Sequence, residues 1–227
     1  MIRLQHFSFL LVVLALFSCA DANSQKKTKT LHKPVQLTSE QLAGTEIATF
    51  AGGCFWCTEA AFERVQGVKQ VISGYAGGSE KKPTYEQVSA GRTGHTESVQ
   101  VYYDPKIITY PELLEMFFVA HDPTTLNRQG PDVGRQYRSA IFYQNAQQQQ
   151  QALAYVKELE TKKAFSNKIV TEIKPLTVFW PAEDYHQDYY EIAENQSNPY
   201  IISVTAPKVN KFMKHFKAKL KPAYQQL

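Results

Sequence analysis

The longest apolar run lies close to the start of the chain. Phe7 to Phe17 reads FSFLLVVLALF, uncharged and apolar all round, behind a weakly basic lead of Arg3 and His6. It is too short to span a bilayer as a helix and fits the apolar part of an export signal over residues 1–22. Polar positions then dominate from Asn23 to about Gly44, with Lys26, Lys27, Lys29 and Lys33, which predicts a solvated basic tether over residues 23–44. From there the pattern switches between alternation and helical spacing. Glu46 to Ala51 alternates as a short strand, broken by Gly52-Gly53. Ala60, Phe62 and Val65 belong to a helix that Gly67 ends. Val68–Tyr75 and Thr96–Tyr103 are strands, the second with Val99, Val101 and Tyr103 on one face. Pro111–Val119 is a helix with proline in its first turn. Tyr137–Tyr143 is a strand, and Ala146–Lys163 a long helix that contains the glutamine run 147–151. Val170–Ile173 and Leu176–Trp180 are strand-like, with Pro175 as the turn between them. Val209, Phe212, Phe216 and Leu220 recur at helical spacing among lysines, predicting an amphipathic basic helix over residues 206–227.

This order argues for an α+β protein rather than a regular parallel sheet. The expected architecture is a single two-layer α/β sandwich-like domain over residues 45–205, with a mixed sheet, a ferredoxin-like core and long functional loops. Two polar, glycine-containing stretches, Ala76–Thr93 and Asp122–Gln136, are those loops. Composition agrees: of 227 residues, 43% are hydrophobic and 20% charged, enough for a core and too apolar for wholesale disorder. A net charge of +4 is too mild for a dedicated nucleic-acid binder, so no nucleic-acid partner is expected. A monomer is expected.

Three cysteines exclude a disulfide-stapled scaffold. Cys19 has two fates. Leu16-Phe17-Ser18-Cys19 resembles a bacterial lipoprotein box, which would make Cys19 a lipidated N-terminus anchoring the protein to a membrane in the periplasm. Ala20-Asp21-Ala22 offers ordinary cleavage instead, which would discard it. Cys54 and Cys57 follow a strand and a diglycine and open a helix. There the dipole and free backbone N–H groups favour a thiolate at Cys54, and Cys57 lies one turn on. A working redox pair, a structural disulfide and half a zinc site all use this spacing. No histidine stands in a metal-ligand pair and there is no second C-x2-C, so no metal is expected there.

The segment GCFWCTEAAFERVQGV (Gly53–Val68) resembles the signature of the methionine sulfoxide reductase A family, enzymes that reduce one epimer of methionine sulfoxide. The resemblance continues through GYAGG (Gly74–Gly78), TGHTE (Thr93–Glu97), HDPTTLNRQGPDVGRQYRSAIFY (His121–Tyr143) and PAEDYHQDYY (Pro181–Tyr190), covering roughly residues 46–200. It implies reduction of the S epimer of methionine sulfoxide, free or in proteins and peptides, by an enzyme without cofactor. By position, it implies that Cys54 is the nucleophile and Glu97 the acid. Tyr85 and Tyr137 are implied hydroxyl donors to the sulfoxide oxygen, and Asp132 a polar group that orients the network through water. Phe55 and Trp56 are implied walls around the S-methyl group. Each also has an ordinary structural reading, as surface carboxylate, core tyrosine, turn residue or core aromatic. His186 and His95 match family positions without an assigned role.

The chain departs from the common family pattern in one respect. The position of Cys57 is usually glycine, and the resolving cysteine usually lies in the C-terminal tail, where this chain has none. The resemblance therefore implies a Cys54–Cys57 disulfide, reduced by a thioredoxin-like partner. Two other function classes remain: an exported C-x-x-C thiol–disulfide oxidoreductase, and a lipid-anchored binding module using the basic tether and tail.

Overall fold

The computed structural model describes residues 37–226; the expected export signal, Cys19 and most of the expected basic tether lie outside the described residues. Strand β1 (Glu46–Gly52) leads through Gly53 into α1 (Phe55–Glu63), and β2 (Val68–Ala76) follows. A short α2 (Tyr85–Ser89) precedes β3 (Thr96–Tyr103) and α3 (Tyr110–Ala120). A two-stranded ribbon, β4 (Arg128–Gln129) with β5 (Asp132–Val133), leads to β6 (Ser139–Tyr143) and α4 (Ala146–Thr161). β7 (Glu172–Pro175), β8 (Phe179–Pro181) and α5 (Ala206–His215) complete the order.

The main sheet runs β7-β6-β1-β3-β2-β8. Its four central strands each run antiparallel to their neighbours, β6 and β3 flanking β1 and β2 beyond β3. With α1 between β1 and β2, and α3 between β3 and β6, this is the split β-α-β arrangement of a ferredoxin-like core. β7 joins β6 in parallel through α4 and β8 joins β2 antiparallel, so the sheet is mixed as expected. Alternation along the strands separates two cores. Ala48, Phe50 and Ile141 face α1 and α3, where Phe50 stacks between Phe62 and Phe117 at 5.5 and 4.8 Å. Ala51, Ala76, Ala140 and Phe142 form a smaller cluster of their own, against which Leu176 and Phe179 pack.

Four local expectations are corrected. Tyr137 is not in a strand: Arg135–Tyr137 forms a 3-10 turn, and β6 begins at Ser139. The stretch Ala76–Thr93 is not all loop, because Thr84 and Gln87 form a reciprocal capping box that starts α2. Pro175 does not turn a hairpin. It ends β7 on the outer edge of the sheet, where a missing N–H breaks no ladder bond, and β8 lies at the opposite edge. Only residues 176–178 join the two. Across a flat sheet the edges would be about 24 Å apart, yet this link reaches at most about 15 Å. The sheet is therefore strongly curled.

The fourth correction concerns the tail. Val209, Phe212, Phe216 and Leu220 are buried as the spacing predicted, with Phe212 on Phe62 at 6.2 Å. The helix ends at His215, however, and residues 217–221 turn back onto the end of α1. Gln66 N–H donates to Lys219 O at 2.9 Å and Lys221 N–H to Arg64 O at 2.8 Å. A π-turn, Ile201–Thr205, leads into α5.

Candidate active site

β1 ends on two glycines because the chain must turn sharply into α1. Gly53 has φ 91°, and a Cβ there would lie 2.5 Å from the Gln129 side chain. Cys54 is the N-cap residue of α1, so its sulfur lies at the helix mouth, while Phe55 and Trp56 occupy the first turn. Glu97, second residue of β3, reaches the same point: its Oε2 accepts the Phe55 N–H at 3.0 Å. Cys54, Cys57 and Glu97 are all buried and both thiols are reduced. The two sulfurs are hydrogen-bond partners, and Thr205 Oγ1 lies 3.5 Å from Cys57 Sγ.

The electrostatics differ from the simple helix-dipole expectation. Burial pushes the Cys54 thiol up, reinforced by Cys57 and the Glu97 charge, while the Phe55 N–H at the helix mouth already serves Glu97. Cys57 is drawn down, chiefly by its hydrogen bond with Cys54 and further by Lys208 and Thr205. The first proton to leave thus belongs to the pair rather than to Cys54 alone. Burial raises Glu97 to about 8, against the pull of the Phe55 N–H. A carboxyl at about 8 carries its proton at neutral pH and can donate it.

Tyr85, at the start of α2, and Tyr137 both feel the charges of Glu97 and Cys54, and burial raises both phenols, so they remain O–H donors. Glu183 sets this wall by accepting the Tyr85 N–H at 2.9 Å and the Tyr75 hydroxyl at 2.8 Å. The Trp56 indole stacks on Tyr189 at 3.8 Å, meets Tyr200 edge-on at 5.9 Å and donates to His186 Nδ1 at 3.2 Å. Phe55 packs against Tyr75 and His186. Burial lowers His186 to about 4, so the ring is neutral at physiological pH. His95 lies apart from the thiols. Its Nδ1 accepts the Gly78 N–H at 3.2 Å and its Nε2 donates to Glu80 O at 2.8 Å, folding the loop that leads to Glu97.

The structure therefore brings together all eight residues singled out from the sequence: Cys54, Cys57, Glu97, Tyr85, Tyr137, Asp132, Phe55 and Trp56. Sequence reasoning missed Tyr200. Its hydroxyl donates to Asp132 Oδ2 at 2.6 Å and is also hydrogen-bonded to the Cys54 sulfur. A tyrosine after Pro199 has no local pattern that marks it. Tyr189 was also missed, although it lies inside the Pro181–Tyr190 motif.

A family model described as peptide methionine sulfoxide reductase matches residues 46–220. The chain belongs to the peptide methionine sulfoxide reductase family. Its described fold and site fall within that match. Among curated relatives, the peptide methionine sulfoxide reductase MsrA of Saccharolobus solfataricus is 54% identical over 176 residues, 78% of this chain and 97% of that one. The MsrA of Thermus thermophilus is 51% identical over 177 residues, 78% of this chain and 98% of the relative. Among solved structures, methionine sulfoxide reductase A of Corynebacterium diphtheriae superposes with a TM-score of 0.66 at 40% identity, covering 70% of this chain and 79% of that one. Mxr1 of Saccharomyces cerevisiae in reduced form gives 0.62 at 38% identity, covering 69% and 88%.

Proposed function

We propose that this reductase converts the S epimer of methionine sulfoxide, free or in polypeptides, to methionine through Cys54. The observation that carries the reading is the buried Glu97 carboxyl beside Cys54, raised to about 8 and hydrogen-bonded to the next residue's N–H. The Cys54 thiolate attacks the sulfoxide sulfur as Glu97 gives its proton to the departing oxygen, with the Tyr85 and Tyr137 hydroxyls bonded to that oxygen. The oxygen leaves on the cysteine as a sulfenic acid, and methionine departs with its sulfur reduced. Phe55 and Trp56 hold the S-methyl group, since aromatic faces contact sulfur and methyl favourably. Asp132 orients the site through Tyr200.

Cys57 then attacks the Cys54 sulfenic acid, which forms the disulfide and releases water. Its contact with Cys54 and its lowered pKa support it as the resolving thiol. A thioredoxin-type protein reduces the disulfide by thiol exchange. Export through residues 1–22, with lipid attached at Cys19, makes this a membrane-anchored periplasmic enzyme; mass spectrometry of the mature N-terminus separates that from cleavage after Ala22.

The test compares turnover of the S and R epimers and maps the oxidised product. S preference and a Cys54–Cys57 disulfide are expected, and R preference would overturn the assignment. Cys57→Ser should complete one turnover and stall as a sulfenic acid. Sustained thioredoxin-driven turnover in that variant would sink the resolving role.

A further inference from the structure

We propose that Thr205 is the positioning residue for closure of the disulfide, its buried hydroxyl holding the Cys57 sulfur beside Cys54 and donating to it once the thiol proton has gone. This role rests on the reading of Cys57 as the resolving thiol and adds the residue that prepares it.

Thr205 stands where packing alone asks for an apolar side chain. With Val209, Phe212 and Phe216 it recurs at helical spacing, one stripe of the tail helix turned towards α1. All four are buried, Phe212 lies on Phe62 of α1, and Thr205 alone of the four is polar. A valine has the same shape. What the hydroxyl meets on α1 is Cys57, whose S–H donates to Thr205 Oγ1 at 3.5 Å.

A threonine inside a helix commonly returns its hydroxyl proton to the carbonyl four residues earlier. Here that carbonyl belongs to Ile201 and accepts the Ala206 N–H that closes the π-turn Ile201–Thr205. Among the described residues the Thr205 hydroxyl has the Cys57 sulfur as its hydrogen-bond partner and makes no back-bond to Ile201. A neutral thiol sulfur is a weak acceptor, so the hydroxyl proton gains a full acceptor only when Cys57 ionises. A buried donor satisfied by the charged form favours that form, and no water competes for it. Lys208, one turn further along the same side of the tail helix, acts on the Cys57 sulfur in the same direction.

In the closing step the Cys57 thiolate attacks the sulfenic sulfur of Cys54. The S–S bond forms, the S–O bond breaks, and the hydroxyl leaves as water with the proton that Cys57 gave up. The titratable groups facing Cys57 are Cys54 on α1, Glu97 on β3, Asp132 on β5, and Tyr200 and Lys208 in the tail. All of them stay in place when Thr205 is changed.

The experiment follows one turnover of the S epimer by rapid mixing in the full chain, reading methionine release and Cys54–Cys57 disulfide formation separately. Thr205→Val keeps the shape and removes the hydroxyl. Its rate of closure relative to methionine release should fall about tenfold, and the pH at which closure is half-maximal should rise. Thr205→Ser should restore both. Closure in Thr205→Val at the parent's relative rate and pH midpoint, or Thr205→Ser as slow as Thr205→Val, overturns the proposal. Should the valine variant fail to fold, Thr205→Ser against Thr205→Ala makes the same comparison, since the two differ by the hydroxyl alone; equal closure in that pair overturns it as well. Failure of the underlying reading has its own signature: the parent would form no Cys54–Cys57 disulfide, Cys57→Ser would sustain thioredoxin-driven turnover, and the role of Thr205 would fall with it.

Discussion

Glu97 must hold a proton at neutral pH while it lies against a helix N-terminus that favours its charged form. Burial outweighs the Phe55 N–H and sets the carboxyl near 8. The reaction rate should therefore fall as pH rises through about 8, and Glu97→Gln should lose about 10²–10³ in kcat/KM together with that alkaline limb. The parent's stability should fall over the same range. A carboxyl raised from 4.5 to about 8 contributes its full stability below about pH 4.5 and loses it as pH rises towards 8. Glutamine still accepts the Phe55 N–H but cannot ionise. The Tm advantage of Glu97→Gln over the parent should widen between about pH 5 and 8. A variant that is both slower and less stable at pH 8 would contradict this account. When Cys54 ionises, the Tyr200 hydroxyl can turn its one proton from Asp132 to the thiolate, so Tyr200→Phe should raise the Cys54 pKa further and slow its alkylation at neutral pH several-fold, with the fold preserved. Cys54 and Glu97 were legible because each sits in a contiguous motif with its own chemistry. Tyr200 was not, because only the folding of the tail carries it 68 residues in sequence back to Asp132.

At the level of elements, start signals and periodicity were the most legible. β3 occupies the expected residues 96–103, and α3 begins one residue before Pro111, behind a capping box formed by Thr109 and Glu112. Thr109→Ala should cost about 1 kcal/mol by denaturant titration and leave sulfoxide reduction unchanged. The apolar stripe of α5 was equally legible. Phe212→Ala should cost about 3–5 kcal/mol, because the cavity would open against Phe62 on the helix that carries both thiols. What periodicity could not supply was partnership. Two strand-like segments flanking a proline look like a hairpin, and only the rest of the sheet decides that they belong to opposite edges. The short α2 was hidden because a five-residue helix has no period to detect; its signal is the Thr84–Gln87 box alone.

Across the whole molecule, the tail serves the site through structure. It has no resolving thiol, but its residues complete the site and close the core: Tyr200 at Cys54, Thr205 at Cys57, and Phe212 and Leu220 on the buried side of α1. Truncation after Thr205 should therefore abolish folding, read as loss of a cooperative unfolding transition, rather than merely block recycling. A truncated chain that keeps its cooperative transition and still completes a single turnover would refute this.

The three residues 176–178 act, in this light, as a ruler. They join edges that a flatter sheet would carry out of reach, so the length of this link dictates curvature for every strand between them. Deleting even one residue there demands tighter bending of β1, β2 and β3, from whose ends Cys54 and Glu97 project. Adding flexible residues would instead let the sheet relax and the two side chains drift apart. Tolerance to insertion and deletion should consequently be lowest at one of the shortest connections in the chain and far higher in the longer stretch between β2 and α2, where extra residues change no strand's curvature.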